Sequence, residues 1–376
     1  MNELSVAAAL VRHSTRTSGY AWTVTQSVNS ERYFMGFVTI RDVAQKAGVS
    51  IATVSQILHG KGRFSKKTKK LVMNTVDALG YIPDSRAQAI RMSDSKMVGL
   101  LVPDLRNRYF ADLVSSMENI LYEEGFNTLI GTSAENVERQ DSFITNILGQ
   151  RFDGLIIIPQ GVESAGLKAL VKRNIPTVFV DRRVPGMETI PYVVSDPRPG
   201  LVEAMRALYA DGHRKIAYLA HPSLKSFSLN ERAEAFKKLS PQFFGKSGSL
   251  ILSSDSKSGS LELALNRIDE FGATALIFGY SPDAISCLGI FHDRGIRIGS
   301  CMSLISFDDI DVFNLMTPRI SIISQQAEKM GRRGVEMLLE LIRNGVSGLG
   351  AMVSIPTIFI QRESVGPAPA LGSHHH

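Results

Sequence analysis

An alternation of two kinds of segment begins at residue 97 and limits the fold more than any other feature of the chain. Short apolar runs, many of them β-branched and bounded by Gly, Pro or Asp, alternate with segments of helical periodicity. The apolar runs are Val98–Val102, Thr128–Ile130, Leu155–Ile158, Thr177–Val180, Ile216–Leu219, Ala275–Phe278 and Ser303–Ser306. The helical segments include Tyr109–Gly125, Arg139–Gln150, Leu201–Asp211 and Ala284–Arg294. This order predicts an α/β fold whose parallel sheets are covered by helices on both faces.

The number of these units exceeds what one sheet of usual size holds, so residues 97–364 are predicted to form two lobes. In open α/β sheets, ligands bind beyond the carboxyl ends of the strands. We therefore expect a small-molecule site in the cleft between the two lobes.

Residues 37–83 show a different pattern, that of three short helices. Thr39 and Asp42 form a capping box at the start of the first helix, and Gly48 suits the left-handed conformation that ends it. Ser50 and Ser65 are placed to cap the second and third helices. The apolar residues expected in a shared core are Val43, Ala44, Ala47, Val54, Ile57, Leu58, Leu71, Val72, Val76 and Leu79.

Two helices joined by a Gly-containing turn are typical of a helix-turn-helix, whose second helix enters the major groove of DNA. Gln56 can make two hydrogen bonds to adenine, and Ile51 and Ala52 can pack on a thymine methyl group. Basic side chains after this helix are placed to meet phosphates. The predicted DNA-contacting residues in this segment are Thr39, Ser50, Ile51, Ala52, Thr53, Gln56, Arg63 and Lys67.

The net charge of +6 supports this interpretation because the charge is concentrated in one segment. Residues 37–96 contain eleven Lys or Arg and four Asp, whereas the rest of the chain is close to neutral. Such a footprint suits a polyanion such as DNA. The pattern alone leaves open an ordinary three-helix bundle with a solvated basic face.

The run from Val38 to Ile90 resembles the DNA-binding head of the lactose-repressor/galactose-repressor family of bacterial transcription regulators. It carries the family segments A-x-x-A-G-V-S, A-T-V-S and L-G-Y-x-P without a gap. The resemblance implies that Ile51, Ala52 and Gln56 read bases. Many members have Arg where this chain has Gln56, so a different operator preference is expected at that base.

Residues 84–96 resemble the hinge helix and linker of the family, with Asp84–Arg91 as the helix. In the family this helix inserts a leucine into the minor groove, and Ile90 stands at the matching position, where an apolar side chain can unstack a base step. The alternative is a plain linker. The family resemblance also implies a homodimer that reads a palindromic operator.

The segments VGLLVPDLRNRYFADLV and TVFVDRR resemble the ligand loop and a second cleft wall of the family. Arg232 matches an arginine that bonds effector oxygens in many members. Tyr280 and Ser281 stand where many members have an Asn-Asp pair that binds sugar hydroxyls, and Asp283 can substitute only if the loop is rebuilt. The implied effector-binding residues are Asp104, Arg106, Tyr109, Phe110, Asp181, Arg182, Arg232 and Ser281. Packing or capping is the alternative role for several of them.

Five arginines stand near the predicted cleft, and guanidinium groups match the oxygens of phosphates and carboxylates well. They are Arg106, Arg108, Arg182, Arg183 and Arg232. We therefore expect a sugar or sugar derivative as the effector, with an acidic or phosphorylated sugar favoured over a neutral monosaccharide.

The resemblance thus implies a sequence-specific DNA-binding regulator, of the repressor kind, that a small molecule controls. The alternative is a sugar-binding transport or sensory protein without a DNA function. The sequence lacks the phosphate-binding loop, the nucleophile elbow and the zinc-binding helix motif of common enzymes, and we predict no catalytic residue, metal or cofactor. Two cysteines, and no apolar run of membrane-spanning length, favour the cytoplasm. Residues 1–36 are expected to be a flexible extension, and 365–376 a tail ending in an expression-tag remnant.

Overall fold

The computed structural model describes residues 38–82, 95–221, 226–255, 258–345 and 350–369. The predicted hinge helix with Ile90, the extension 1–36 and the end of the tail lie outside these residues. Contacts divide the chain into two compact units, residues 1–84 and 85–376.

The first unit contains three helices, α1 (Ile40–Ala47), α2 (Ile51–Leu58) and α3 (Lys66–Leu79). The predicted capping box is present, because the backbone N–H of Thr39 donates to Asp42 Oδ2 at 2.7 Å and the backbone N–H of Asp42 donates to Thr39 Oγ1 at 3.4 Å. The three helices enclose a small core of their own. Its buried members are Val43, Ala44, Ala47, Val54, Ile57, Val72 and Val76.

The expectation that Leu71 belongs to this core is wrong, because its side chain is 48% exposed. Successive helical residues are 100° apart, so the side chain next to Val72 turns away from the core. Thr75 is buried on the core side instead, and its hydroxyl donates to the backbone carbonyl of Leu71 at 2.8 Å.

The second unit contains two six-stranded sheets, as the α/β prediction requires. The N-terminal lobe has the strand order β11-β5-β4-β3-β1-β2, with all pairs parallel. The C-terminal lobe has the order β12-β10-β9-β8-β6-β7, in which only the pairing of β10 with β12 is antiparallel. The strands are β1 (Met97–Val102), β2 (Asn127–Thr132), β3 (Gly154–Ile157), β4 (Thr177–Val180), β5 (Tyr192–Asp196), β6 (Ile216–Ala220), β7 (Ser249–Ser253), β8 (Ala275–Phe278), β9 (Ser303–Phe307), β10 (Ser321–Ser324), β11 (Met352–Pro356) and β12 (Ile358–Ile360).

Helices cover both faces of each sheet, so each lobe has two buried apolar layers. The helices of this unit are α4 (Arg108–Glu123), α5 (Val137–Leu148), α6 (Ala165–Lys172), α7 (Arg198–Ala210), α8 (Phe227–Phe244), α9 (Ser258–Phe271), α10 (Ser281–Asp293), α11 (Asp311–Leu315) and α12 (Ala327–Asn344). The chain passes between the lobes three times, after β5, after β10 and after β11. These three crossovers place the carboxyl ends of strands from both sheets on the two sides of one cleft.

The C-terminal lobe continues beyond the predicted boundary at residue 364. Val365 is buried, and the backbone N–H of Gly366 donates to Ser303 Oγ at 3.1 Å. The backbone N–H of Ala368 donates to the carbonyl of Asp211 at 2.8 Å. Residues 365–369 therefore belong to the packed lobe, because they supply hydrogen bonds and apolar surface that a free tail does not.

Candidate functional site

The exposed face of α2 carries the side chains that were predicted to read bases. Ile51 is 44% exposed, and Ala52 and Gln56 are also exposed. Ser50 caps the helix, since its Oγ accepts the backbone N–H of Thr53 at 3.1 Å and lies 2.9 Å from the Thr53 hydroxyl. This face offers apolar surface next to an amide, which is the pattern that can contact thymine and adenine in a major groove.

A basic surface begins beside this face. Arg63 and Lys67 are exposed, and the first turn of α3 contains Lys and no acidic residue. Cations at a helix N-terminus oppose the helix dipole, so this arrangement does not stabilise the isolated helix. An anion such as a phosphate would relieve the repulsion. Thr39 acts as a helix cap, with its hydroxyl donating to Asp42 Oδ2 at 2.7 Å.

A second site lies between the lobes, at the carboxyl ends of the strands. Its lining residues are Asn107, Tyr109, Phe110, Asp181, Arg182, Ser226, Ser228, Leu229, Arg232, Tyr280 and Asp308. The cavity volume is about 20 Å³, which is room for about one water molecule. The side chains of the two lobes thus fill most of the cleft in this structure.

Each lobe contributes one Asp–Arg couple to this cavity. In the N-terminal lobe, Asp181 directly follows β4, and its Oδ2 lies 3.6 Å from Arg182 Nε. In the C-terminal lobe, Asp308 directly follows β9, and its Oδ2 lies 3.7 Å from Nη1 of Arg232 on α8. Strands β4 and β9 occupy the same position in their two sheets. The couples therefore face the cleft from equivalent ends of the two lobes.

Both aspartates have a strained backbone conformation, and hydrogen bonds fix the position of their carboxylates. Asp181 and Asp308 have φ values of 66° and 67°, a left-handed conformation that costs a non-glycine residue roughly 1 kcal/mol or more. The Tyr109 hydroxyl donates to Asp181 Oδ1 at 2.8 Å, and the Gln325 amide donates to Asp308 Oδ1 at 2.7 Å. Each carboxylate keeps its second oxygen, Oδ2, on the side of its arginine.

The two arginines are anchored at their terminal nitrogens. Arg182 makes a bidentate pair with Glu135 at 2.7 and 2.8 Å, and Arg232 Nη1 donates to the Gly279 carbonyl at 2.7 Å. Both side chains are almost fully buried. Yet Arg182 Nε and Arg232 Nε make no hydrogen bond within the described residues. A buried unpaired N–H is costly, and both of these nitrogens belong to residues that line the cavity.

Burial also sets the protonation of the site. It raises the pKa of Asp181 and of Asp308 above the usual Asp value, although nearby arginines act in the opposite direction. Burial raises the pKa of Tyr109 well above that of a free tyrosine, and it raises the pKa of Tyr280 to about 12. Both phenols therefore keep their protons at neutral pH, and that of Tyr109 is donated to Asp181.

The structure brings five of the eight predicted effector residues together. Those that line the cavity are Tyr109, Phe110, Asp181, Arg182 and Arg232. Asp104 and Arg106 instead pair with each other outside the lining, with Arg106 Nη2 2.9 Å from Asp104 Oδ2 and the Arg106 side chain 92% exposed. Ser281 is also outside the lining, because its side chain is 1% exposed and buried within the C-terminal lobe.

Asp283 does not take over the role of the missing sugar-binding carboxylate. It is fully buried in the first turn of α10, and its Oδ2 lies 2.9 Å from His221 Nδ1. The loop is therefore not rebuilt toward the cleft.

Asp308, Tyr280 and the first turn of α8 also line the cavity, although none of them was predicted to contact the effector. A signal existed for Asp308, because it comes two residues after the predicted strand Ser303–Ser306, much as Asp181 follows Thr177–Val180. Ser228 and Leu229 precede Arg232 by four and three residues, which is the spacing of one helix face. Glu135 had no signal, since its contact with Arg182 spans 47 positions.

The five arginines near the cleft do not form an uncompensated cationic surface. Each has a carboxylate within 4 Å. The pairs are Arg106 with Asp104, Arg108 with Asp112 and Asp311, Arg182 with Glu135 and Asp181, Arg183 with Glu231, and Arg232 with Asp308. The cavity lining itself contains two arginines and two aspartates.

A helix-turn-helix unit and a two-lobed unit with a polar cleft define a DNA-binding transcription regulator that a small molecule controls. Comparison with known proteins agrees. Residues 39–84 match the family model "Bacterial regulatory proteins, lacI family", and residues 205–365 match "Periplasmic binding protein-like domain". The DNA-binding head thus matches the lacI family of bacterial transcription regulators, and the predictions of family and fold class are confirmed.

Among the relatives is the HTH-type transcriptional regulator GalR of Escherichia coli, 28% identical over 340 residues, which are 90% of this chain and 98% of the relative. A crystal structure of a probable LacI family transcriptional regulator from Corynebacterium glutamicum is 29% identical, covers 72% of this chain and 100% of that one, and has a TM-score of 0.64. The Lac repressor dimer bound to operator and the anti-inducer ONPF, at 24% identity, has a TM-score of 0.73 over 88% of this chain and 99% of that one, and supports the fold. Homologues of this kind are regulators and not enzymes.

Proposed function

We propose that the effector of this regulator is a neutral polyhydroxy compound, a sugar, held between the lobes by the two Asp–Arg couples. One observation carries the proposal. Each couple has a gap of 3.6 or 3.7 Å between carboxylate and guanidinium, and each arginine has a buried Nε without a partner.

A hydroxyl group fits such a couple because it donates one hydrogen and accepts others. Its O–H can donate to the carboxylate while its oxygen accepts from the guanidinium. The observed gaps are too long for a direct hydrogen bond, so a hydroxyl that lies beside a couple, within reach of both of its groups, would satisfy groups that are otherwise poorly paired. Two couples on opposite lobes then bind two hydroxyls of one ligand. An apolar ligand would leave these buried groups unpaired.

The charge balance favours a neutral sugar over the phosphorylated or acidic sugar that the arginine count suggested. The cavity lining already contains one carboxylate for each guanidinium group. A phosphate there would face Asp181 and Asp308 across a poorly hydrated space, and like charges in such a place repel strongly. An acidic ligand therefore needs a cation without a carboxylate partner, and no arginine near the cleft offers one.

The small cavity also supports a mechanism of control. A sugar needs far more than about 20 Å³, so it enters only when the lobes separate and binds when they close around it. A ligand changes DNA affinity only through its different affinities for the two lobe arrangements. The angle between the lobes is thus the switching element that we propose.

We further propose that a dimer reads a palindromic operator through α2 of each subunit. Strand β2 forms the edge of the N-terminal sheet, and its Leu129 and Ile130 are 39% and 40% exposed. Tyr122 in the adjacent last turn of α4 is also exposed. An uncovered edge strand with apolar side chains favours association, and a second copy of the chain would cover it. No helix in the described ranges has the length and apolarity to cross a membrane.

Isothermal titration of neutral hexoses and of hexose 6-phosphates tests the ligand class. We expect at least one neutral hexose to bind and to lose its binding in Arg232→Ala. The matched control is Arg206→Ala, which removes an exposed arginine of α7 and should bind like the wild type. If only the phosphates bind, or if Arg232→Ala binds a hexose as well as the control does, the proposed role of the couples is wrong.

A further inference from the structure

A buried polar pair lies next to the cavity and has no part in the two couples. His221 follows β6, Asp283 lies in the first turn of α10, and Nδ1 of the histidine is 2.9 Å from Oδ2 of the aspartate. His221 is 4% exposed and Asp283 is fully buried. Burying a carboxylate costs desolvation free energy unless the group is paired, so the hydrogen bond to His221 is needed to keep Asp283 in this position.

The Tyr280 ring, which lines the cavity, rests on this pair. The rings of Tyr280 and His221 have centroids 4.7 Å apart and an interplanar angle of 37°. Tyr280 immediately precedes α10, so the pair ties together the ends of β6 and β8, which are neighbours in the sheet. The contact confines the tyrosine side chain because the imidazole below it is itself fixed by Asp283.

We propose that Tyr280 is the residue that makes this regulator select a cyclic ligand, and that the His221–Asp283 pair positions it. The inference rests on the proposed sugar function and names the shape of the sugar. A pyranose has a flat face of C–H groups with hydroxyls at its rim, whereas an open-chain alditol has the same hydroxyls and no flat face. Tyr280 lines the cavity together with both Asp–Arg couples, so in this proposal its phenol ring supplies the flat apolar surface and the couples supply the hydroxyl contacts.

The preference for a cyclic ligand follows because the ligand makes two kinds of contact, hydrogen bonds with the couples and an apolar contact with Tyr280. The couples bind hydroxyls of either ligand, because they need only one donor and one acceptor at each oxygen. The ring of Tyr280 buries apolar surface efficiently only against a ligand that has a flat face of its own. Ser281, next in the chain, does not contribute, since its side chain is buried and outside the lining.

The experiment measures the ratio of dissociation constants for matched probes, D-glucose with D-glucitol and D-galactose with galactitol. The wild type should bind one pyranose about 2- to 12-fold more tightly than its alditol, the range expected for one aromatic contact. Tyr280→Phe keeps the ring and should keep the ratio. Tyr280→Ala should bring the ratio close to one, while the alditol affinity changes little.

The pair is tested by its effect on the same ratio. Asp283→Asn keeps an oxygen that accepts from His221, so the ratio should persist, whereas Asp283→Ala should lower it. A general loss of stability would weaken both probes equally and would not move the ratio. Tyr280 is only partly buried, so its variants keep the test valid if Asp283→Ala fails to fold.

The outcomes separate this inference from the function on which it rests. Equal binding of pyranose and alditol by the wild type, or a ratio unchanged in Tyr280→Ala, overturns the role of Tyr280 and leaves the couples standing. The absence of binding by any neutral probe overturns the proposed function and this inference together.

Discussion

Replacing Asp308 with asparagine should weaken ligand binding and stabilise the protein at neutral pH. The variant keeps the size of the side chain and an oxygen that can accept the Gln325 hydrogen bond. A hydrogen bond to a charged group contributes about 1.5–3 kcal/mol, and a neutral one about 0.5–1.5 kcal/mol. The ligand hydroxyl should therefore lose roughly 1–1.5 kcal/mol, which is about 5- to 12-fold in affinity.

The stability effect follows from the direction of the pKa shift. Burial raises the folded-state pKa of Asp308 above its ordinary value of 3.8, so the folded protein keeps a proton that the unfolded chain has released. Stability then falls as the pH rises from about 4 through the folded-state pKa. Asparagine does not titrate, so the variant should avoid this loss, and Arg232 still has Asp181 near it.

Thermal unfolding at about pH 7.5 and about pH 4, with titration of a binding hexose, checks both effects. The variant should unfold at a higher temperature than the wild type at the neutral pH, and the difference should shrink at the acidic pH. Glu262→Gln, on the exposed side of α9, is the matched charge control. A lower midpoint for Asp308→Asn at neutral pH, or unchanged hexose affinity, would refute the reasoning.

Three further predictions concern the head, the dimer and the C-terminal end. Gln56→Ala should relax base preference at one position by about 1–3 kcal/mol, whereas Lys67→Ala should weaken all sequences alike and flatten the salt dependence; identical binding profiles for the two variants would contradict this. Ile130→Asp should convert the dimer to monomer in sedimentation, and an intact dimer would show that the β2 edge is not the interface. Val365→Ala should cost about 1–2 kcal/mol in denaturant unfolding because its side chain is buried, and no change would return residues 365–369 to the status of a free tail.

The sequence predicted seven strands, among them the edge strand β2, but missed the other three edge strands, β7, β11 and β12, together with β5 and β10. All four residues of β3, β4 and β8 are buried, so these strands read as continuous apolar runs. Strand β11 instead alternates between exposed and half-buried residues, and β7 is buried at only one position. An edge strand needs little apolar surface, so its composition resembles that of a loop.

Residues of the candidate site were predictable only where their position next to or within a predicted strand or helix places them at the cleft. Asp181 and Arg232 have such a place in the chain, and both line the cavity. Charge partners were not predictable, because the contacts of Arg182 with Glu135 and of His221 with Asp283 span 47 and 62 positions. The Arg182–Glu135 pair, like the Arg183–Glu231 pair that spans 48 positions, changed the expected ligand from acidic to neutral, since it neutralises an arginine that the sequence shows only as a positive charge.

The central claim is that a neutral sugar in the interlobe cavity controls DNA binding. Its most direct test begins with selection of a preferred duplex from random DNA by the full chain. The dissociation constant for that duplex is then measured with and without a neutral hexose that binds the wild type. We predict that the hexose changes the DNA affinity of the wild type and of Arg206→Ala at least fivefold, a typical coupling of about 1 kcal/mol, and leaves that of Arg232→Ala unchanged. Equal hexose effects on Arg232→Ala and the wild type, or a wild type that responds only to phosphorylated sugars, would contradict the account.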